Sequence, residues 1–165
     1  MNKAGRVDHV FGPFYDEKSK ILILGTIPSP KSREEGFYYG HPRNRFWPVL
    51  SGLFGEATPV TVQEKKALLK KHGIALWDVL ASCEIKGAED SSIKNPQAND
   101  MRLIFNVADI RAVFTTGGKA AKLYEKLCLP VCGVPAIKLP STSPANCACS
   151  VERLTEEYSI ILQYL

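Results

Sequence analysis

The chain has no apolar run near the ~20 residues a membrane-spanning helix needs, which excludes an integral membrane protein of the helical kind. Its first residues, Met1-Asn2-Lys3, are polar and lack the apolar core of a secretory leader, so a cytoplasmic protein without a membrane partner is expected. No segment repeats, so solenoids and propellers are excluded. The paired C-x-x-C of common zinc sites is also missing. The five cysteines are Cys83, Cys128, Cys132, Cys147 and Cys149, an odd number that fits a reducing compartment better than a disulfide framework. Their C-x3-C and C-x-C spacing leaves two readings: a metal or iron–sulfur cluster, or free thiols packed as small apolar side chains. Gly117-Gly118-Lys119 is followed by Ala120, so the phosphate-loop pattern G-x-x-x-x-G-K-[ST] is absent as well.

What is present fits one globular domain spanning residues 1–165, with 45% hydrophobic residues. The net charge of +4 and a pI near 8.8 are compatible with nucleic acid, although many soluble domains are as basic. Ile21-Leu22-Ile23-Leu24 is wholly apolar and ends at Gly25, as a strand buried on both faces does. Ile74 to Leu80, interrupted only by Asp78, reads the same way, and so do residues 112–116 and 134–139. Pro135 places the last of these at a sheet edge. A short strand over residues 7–11 is a further possibility. Helices are expected between them. Thr61-Val62-Gln63-Glu64 is a capping box opening a helix that Gly73 ends. Others are expected at residues 118–127, from Ser150 along the stripe Val151, Leu154, Tyr158, Ile161, Leu162, Leu165, and near Asn44 to Trp47, since Pro48 is tolerated only in a first turn.

Strands alternating with helices predict an α/β fold: three layers, α/β/α, around a central, mainly parallel four-stranded sheet. Such sheets bind ligands beyond the carboxyl ends of their strands. The unusual segments follow those ends: residues 25–43, 81–99, the pair Gly117-Gly118, and residues 140–146. The two longest exceed ordinary connections, which favours functional loops.

Two of these segments hold recognisable motifs. One runs Gly25-Thr26-Ile27-Pro28-Ser29, then Gly36-Phe37-Tyr38-Tyr39-Gly40-His41-Pro42-Arg43-Asn44-Arg45-Phe46-Trp47. The other is Leu139-Pro140-Ser141-Thr142-Ser143-Pro144-Ala145-Asn146. Together they resemble the two signatures of the uracil-DNA glycosylase superfamily, and the Gly-His-Pro-x-Asn-Arg-Phe-Trp block is most similar to the hypoxanthine-DNA glycosylase branch, near the mismatch-specific uracil-DNA glycosylases. The resemblance covers about Gly12 to Tyr158 and implies a monofunctional enzyme that hydrolyses the N-glycosidic bond of deaminated bases in DNA. Hypoxanthine is the expected substrate, with uracil or xanthine next. No lysine stands where a Schiff-base nucleophile would, and no metal or cofactor is implied.

The chemistry sets what the residues must do. The base has to be flipped into a pocket, and cleavage builds positive charge on the sugar and negative charge on the departing base. By resemblance, Gly25, Thr26, Ile27, Pro28 and Tyr39 bind the base, with Tyr39 stacking on it. Phe37 is expected in the core, since three consecutive aromatics cannot all face one way. Ser29, Gly118, Ser141, Thr142, Ser143 and Pro144 are the expected DNA contacts. Ile27 replaces the side chain that positions water in many relatives, which moves the main catalytic role to Asn44, assisted by His41. The residues alone allow Asn44 to be a helix cap instead. Leu139 cannot bond the departing base, so help for the leaving group has to come from elsewhere. Asp78 reads as a structural residue, and Lys31, Arg33, Arg43 and Arg45 as phosphate candidates. A monomer acting on single- or double-stranded DNA is expected. Two other readings stay open: a non-catalytic DNA or damaged-base binding module on the same fold, and a nucleotide-binding α/β domain.

Overall fold

The computed structural model describes residues 5–165, which leaves the Met1-Asn2-Lys3 start outside the described residues. Seven strands among the described residues form two sheets. β2 (Ile21–Gly25), β3 (Ile74–Asp78), β6 (Ala112–Thr116) and β7 (Ala136–Leu139) make a parallel sheet in the order β3-β2-β6-β7. β1 (Gly5–Asp8), β4 (Leu80–Ile85) and β5 (Lys94–Ala98) make a smaller antiparallel sheet in the order β1-β4-β5. Helices flank the parallel sheet: α1 (Pro30–Glu35), α2 (Phe46–Leu53), α3 (Val62–His72), α4 (Arg102–Phe105), α5 (Gly118–Leu123), α6 (Leu129–Cys132) and α7 (Val151–Tyr158).

The parallel sheet is built as its composition demands. Every residue of β2 is buried, because helices cover both of its faces and β3 and β6 flank it. β7 lies at an edge, and Pro135 falls just before its first residue, where a missing N–H costs no ladder bond. α3 starts at the Thr61–Glu64 capping box and stops at Gly73, whose φ of 70° closes the helix in the left-handed conformation.

Five expectations change. The apolar run from Ile74 is two strands: the chain leaves the parallel sheet at Asp78, and Leu80 already belongs to the antiparallel one. The segment 81–99 is mostly β4 and β5, whose irregular registers broke the alternation that marks a strand. Residues 25–43 contain α1, capped by Ser29 with Pro30 in its first turn and ended by Gly36 at φ 80°. The C-terminal stripe divides too. Leu154, Tyr158 and Ile161 are buried, while Val151, at the start of α7, is exposed, and Leu162 is exposed where the helix has tightened to a 3-10 turn after Tyr158. Likewise the helix expected over 118–127 widens at Tyr124–Cys128.

Register fixes where chemistry can happen. Gly25 is paired with Asp78, and Thr116 with Leu139, so the carboxyl ends of all four parallel strands form one rim. The chain leaves that rim into the two motif segments.

Candidate active site

A cavity of about 140 Å³ opens on that rim. Gly25, Thr26, Ile27, Pro28 and Ser29 form one wall, Tyr38, Tyr39 and Asn44 a second, and Ser141, Thr142 and Ser143 a third. Asp78 and Thr116 come from the strand ends, and Gly87, Ala88 and Asp90 from the hairpin of the small sheet. The two motifs, about a hundred residues apart in sequence, therefore face each other.

Asn44 joins them. Its Oδ1 accepts the N–H of Phe46, the first residue of α2, at 2.9 Å, and the Thr142 hydroxyl at 2.8 Å. A backbone N–H can only donate, so the amide orientation is fixed. Both lone pairs of Oδ1 are used, and neither bond uses Nδ2. A structural acceptor at the start of α2 and a free donor therefore coexist in one side chain. Arg45 tightens the same junction. Its N–H donates to the Thr142 carbonyl at 3.0 Å, and its guanidinium donates to the carbonyls of Ser143 and Asn146 at 2.8 Å each and to that of Cys149. Arg45 is thus spent on holding the second loop and is unavailable to a phosphate. Arg33 likewise donates to the Pro28 carbonyl at 2.8 Å.

The three aromatics diverge as chain geometry requires. Phe37 is buried against Trp47 and Phe14. Tyr38 is buried and donates to the Gly12 carbonyl at 3.0 Å. Tyr39 takes a φ of 52°, unusual for a residue with a side chain, and its ring stacks on Phe46 at 3.9 Å and 8°. Its hydroxyl lies 3.4 Å from the Thr116 hydroxyl. Burial, and then the Asp78 carboxylate, push both tyrosines up, so both hydroxyls stay protonated donors.

Asp78 is the residue whose importance the sequence understated. Its side chain is 6% exposed and lines the cavity, and Oδ2 lies 2.8 Å from Nε2 of His9, itself 4% exposed. The signal available was an acid in an otherwise apolar strand. A β-carbon on Gly25 would stand 2.5 Å from Asp78 Oδ1 and 3.5 Å from the Tyr39 hydroxyl. Gly25→Ala should therefore displace Asp78 and slow base excision on the order of 10²-fold with DNA binding retained. Single-turnover kinetics beside fluorescence anisotropy measure both, and a wild-type rate would show that the wall yields.

The remaining expected residues are placed as follows. Ser29 lines the cavity, but its Oγ already accepts the Ser32 N–H. His41 is exposed, takes the Arg43 N–H on Nδ1, and does not line the cavity. Pro144 is half-buried outside the cavity. Gly118 opens α5 beside the Lys138 ammonium, away from the cavity wall. Leu139 is buried in the core. Among the described residues no three His, Cys, Asp or Glu side chains gather into a metal-binding group. Cys128 is buried and its thiol is pushed up to about 12 by that burial, with Cys132 adding to it, whereas Cys147 is exposed. No described helix is long and apolar enough to cross a membrane.

This arrangement, a cleft at the strand ends closed by two motif loops, defines a base-excision fold. Residues 13–163 match the family model of the uracil DNA glycosylase superfamily, and the chain belongs to that superfamily. Two curated relatives narrow the position within it. The chain is 35% identical over 147 residues to "Hypoxanthine DNA glycosylase" of Methanosarcina barkeri, covering 88% of this chain and 89% of the relative. It is 38% identical over 148 residues to the protein of the same name in Methanosarcina acetivorans, covering 88% and 92%. A solution NMR structure from Methanosarcina acetivorans, whose proposed identity is a uracil DNA glycosylase, superposes with a TM-score of 0.79 at 33% identity over 93% of this chain and 96% of that one.

Proposed function

We propose that the protein is a monofunctional DNA glycosylase that hydrolyses the bond between deoxyribose and a deaminated base, with hypoxanthine as its main substrate. The observation that supports this most is the cavity itself, where the Asn44 amide and the Asp78 carboxylate share one pocket. Deamination turns a ring nitrogen that accepts into a lactam N–H that donates. A carboxylate can accept from that N–H and is repelled by the lone pair of adenine or cytosine at the same place. The names of the two relatives support hypoxanthine in particular.

In this reading Tyr39, backed by Phe46, stacks on the flipped base, while Thr26, Ile27 and Pro28 close the other wall. With Oδ1 occupied, Asn44 acts through its Nδ2–H, donating to the base as charge builds on it. Water adds hydroxyl to C1′, the base leaves with a proton, and no covalent enzyme intermediate forms. Ser141, Ser143 and Pro144 touch the strand near the lesion, and His41 and Gly118 bind phosphates at the rim. The cavity is complete within one chain, so a monomer suffices, working in the cytoplasm on DNA.

The test is alkaline cleavage of labelled oligonucleotides containing deoxyinosine, deoxyuridine or deoxyxanthosine, single- and double-stranded. Excision of hypoxanthine is expected. Binding with no excision of any of the three would replace the enzyme by a binding module. Tyr39→Ala should weaken excision efficiency by about 1–3 kcal/mol through lost stacking, and an unchanged variant would move that role to another residue.

A further inference from the structure

The resting glycosylase site contains a carboxylate exactly where electrostatics disfavours one, since the departing base gathers negative charge beside Asp78. The surroundings of Asp78 resolve this. His9 follows β1, and its Nδ1 faces the carbonyl oxygen of Phe11. A carbonyl can only accept, so Nδ1 carries a hydrogen. Nε2 then faces Asp78 Oδ2 at 2.8 Å, a separation that two bare lone pairs would not hold. One proton lies between them. Wherever in that bond it resides, imidazole and carboxyl together are electrically neutral. Phe11 at 4.9 Å and Tyr38 at 5.9 Å pack on the His9 ring and keep water away from the pair.

We propose that His9 is a positioning residue for base excision: it neutralises Asp78 through the shared proton, so that Oδ1 can accept the lactam N–H of the base without opposing the charge that builds on it. This rests on the glycosylase reading above. The wall nearest the base is thereby relieved of net charge by a residue outside both motifs. Screening is weak among groups this buried, so an uncompensated charge there acts strongly on the transition state. No covalent step is assigned to His9. The glycosidic electron pair departs with the base, and the shared proton stays in the pair.

The charge and the hydrogen bond can be separated. His9→Gln keeps an N–H donor for Oδ2 but brings no charge, so it leaves Asp78 as a bare carboxylate. Asp78→Asn keeps an oxygen for the base while removing the charge. Single-turnover excision from deoxyinosine DNA by His9→Gln should fall about tenfold or more, with anisotropy affinity for the same DNA unchanged. Adding Asp78→Asn to His9→Gln should raise the rate above that of His9→Gln alone. A merely structural role for His9 gives no such rescue. A wild-type rate for His9→Gln, or a double variant no faster than His9→Gln, overturns the proposal. If His9→Gln does not fold, Asp78→Asn against Asp78→Ala decides it: the Asn variant should excise faster, and equal rates overturn it. Wild-type protein that excises none of the three deaminated bases would instead remove the glycosylase reading itself, and this proposal with it.

Discussion

Asn44→Asp should leave the fold intact and slow excision on the order of 10²–10³-fold. The aspartate retains an oxygen for the Phe46 N–H and for the Thr142 hydroxyl, the two bonds that hold the start of α2 and join the motifs. A carboxylate is also at home in the first turn of a helix. What it lacks is the N–H donor. Asn44→Ala removes everything at once: the donor, the acceptor for the Phe46 N–H, worth about 1 kcal/mol, and the partner of the buried Thr142 hydroxyl. The pair of variants therefore separates stability from chemistry. Melting temperatures near wild type for the aspartate variant, with excision slowed to that extent, identify the amide donor as the active group. An aspartate variant that excises at the wild-type rate would leave Asn44 as a structural link between α2 and the second loop only.

Arg45→Met should be the most destabilising single change in the site region. It strips hydrogen bonds from the carbonyls of Ser143, Asn146 and Cys149 together. Bonds to a charged donor contribute about 1.5–3 kcal/mol each, so a loss of about 3 kcal/mol or more is expected even if water recovers part of it. For a domain of this size that lowers the melting temperature by about 10 °C. Excision should fall with it, because Ser141, Thr142 and Ser143 lose the geometry that faces them toward Asn44. Thermal melting decides the matter, and a shift within about 2 °C would mean that the second loop is held by other contacts. A basic residue beside a DNA-binding loop invites a phosphate role. The structure turns Arg45 inward because an otherwise unpaired row of loop carbonyls needs a fork of donors.

Much of the framework was legible in local patterns. The apolar runs marked the parallel strands, because a strand covered on both faces has no polar face to show. The Thr61 box and Gly73 marked α3 at both ends, and Pro48 required α2 to begin just before it. The α1 helix was legible too, as Ser29, Pro30 and Gly36 are a cap, a first-turn proline and a left-handed stop, but a loop reading of the motif hid it. The strands β4 and β5 were harder. Register shifts between Leu80, Ser82 and Glu84 break the two-residue period, and Pro96 argues against an interior strand.

For the site, the sequence determined which residue types were available and, through the two motifs, which segments held them. It marked Tyr39, Asn44 and the 140–146 loop, and the departures at Ile27 and Leu139. Tertiary structure decided what those side chains are free to do. A hydrogen bond from Thr142, 98 positions away, takes the second lone pair of Asn44 Oδ1, and the Ser143 carbonyl, equally distant, occupies Arg45. A pairing across 69 positions sets His9 against Asp78. Periodicity and capping act over a few residues and so leave a trace in the sequence. The partner of a buried polar group is set by which distant backbone reaches it, and no local pattern records that.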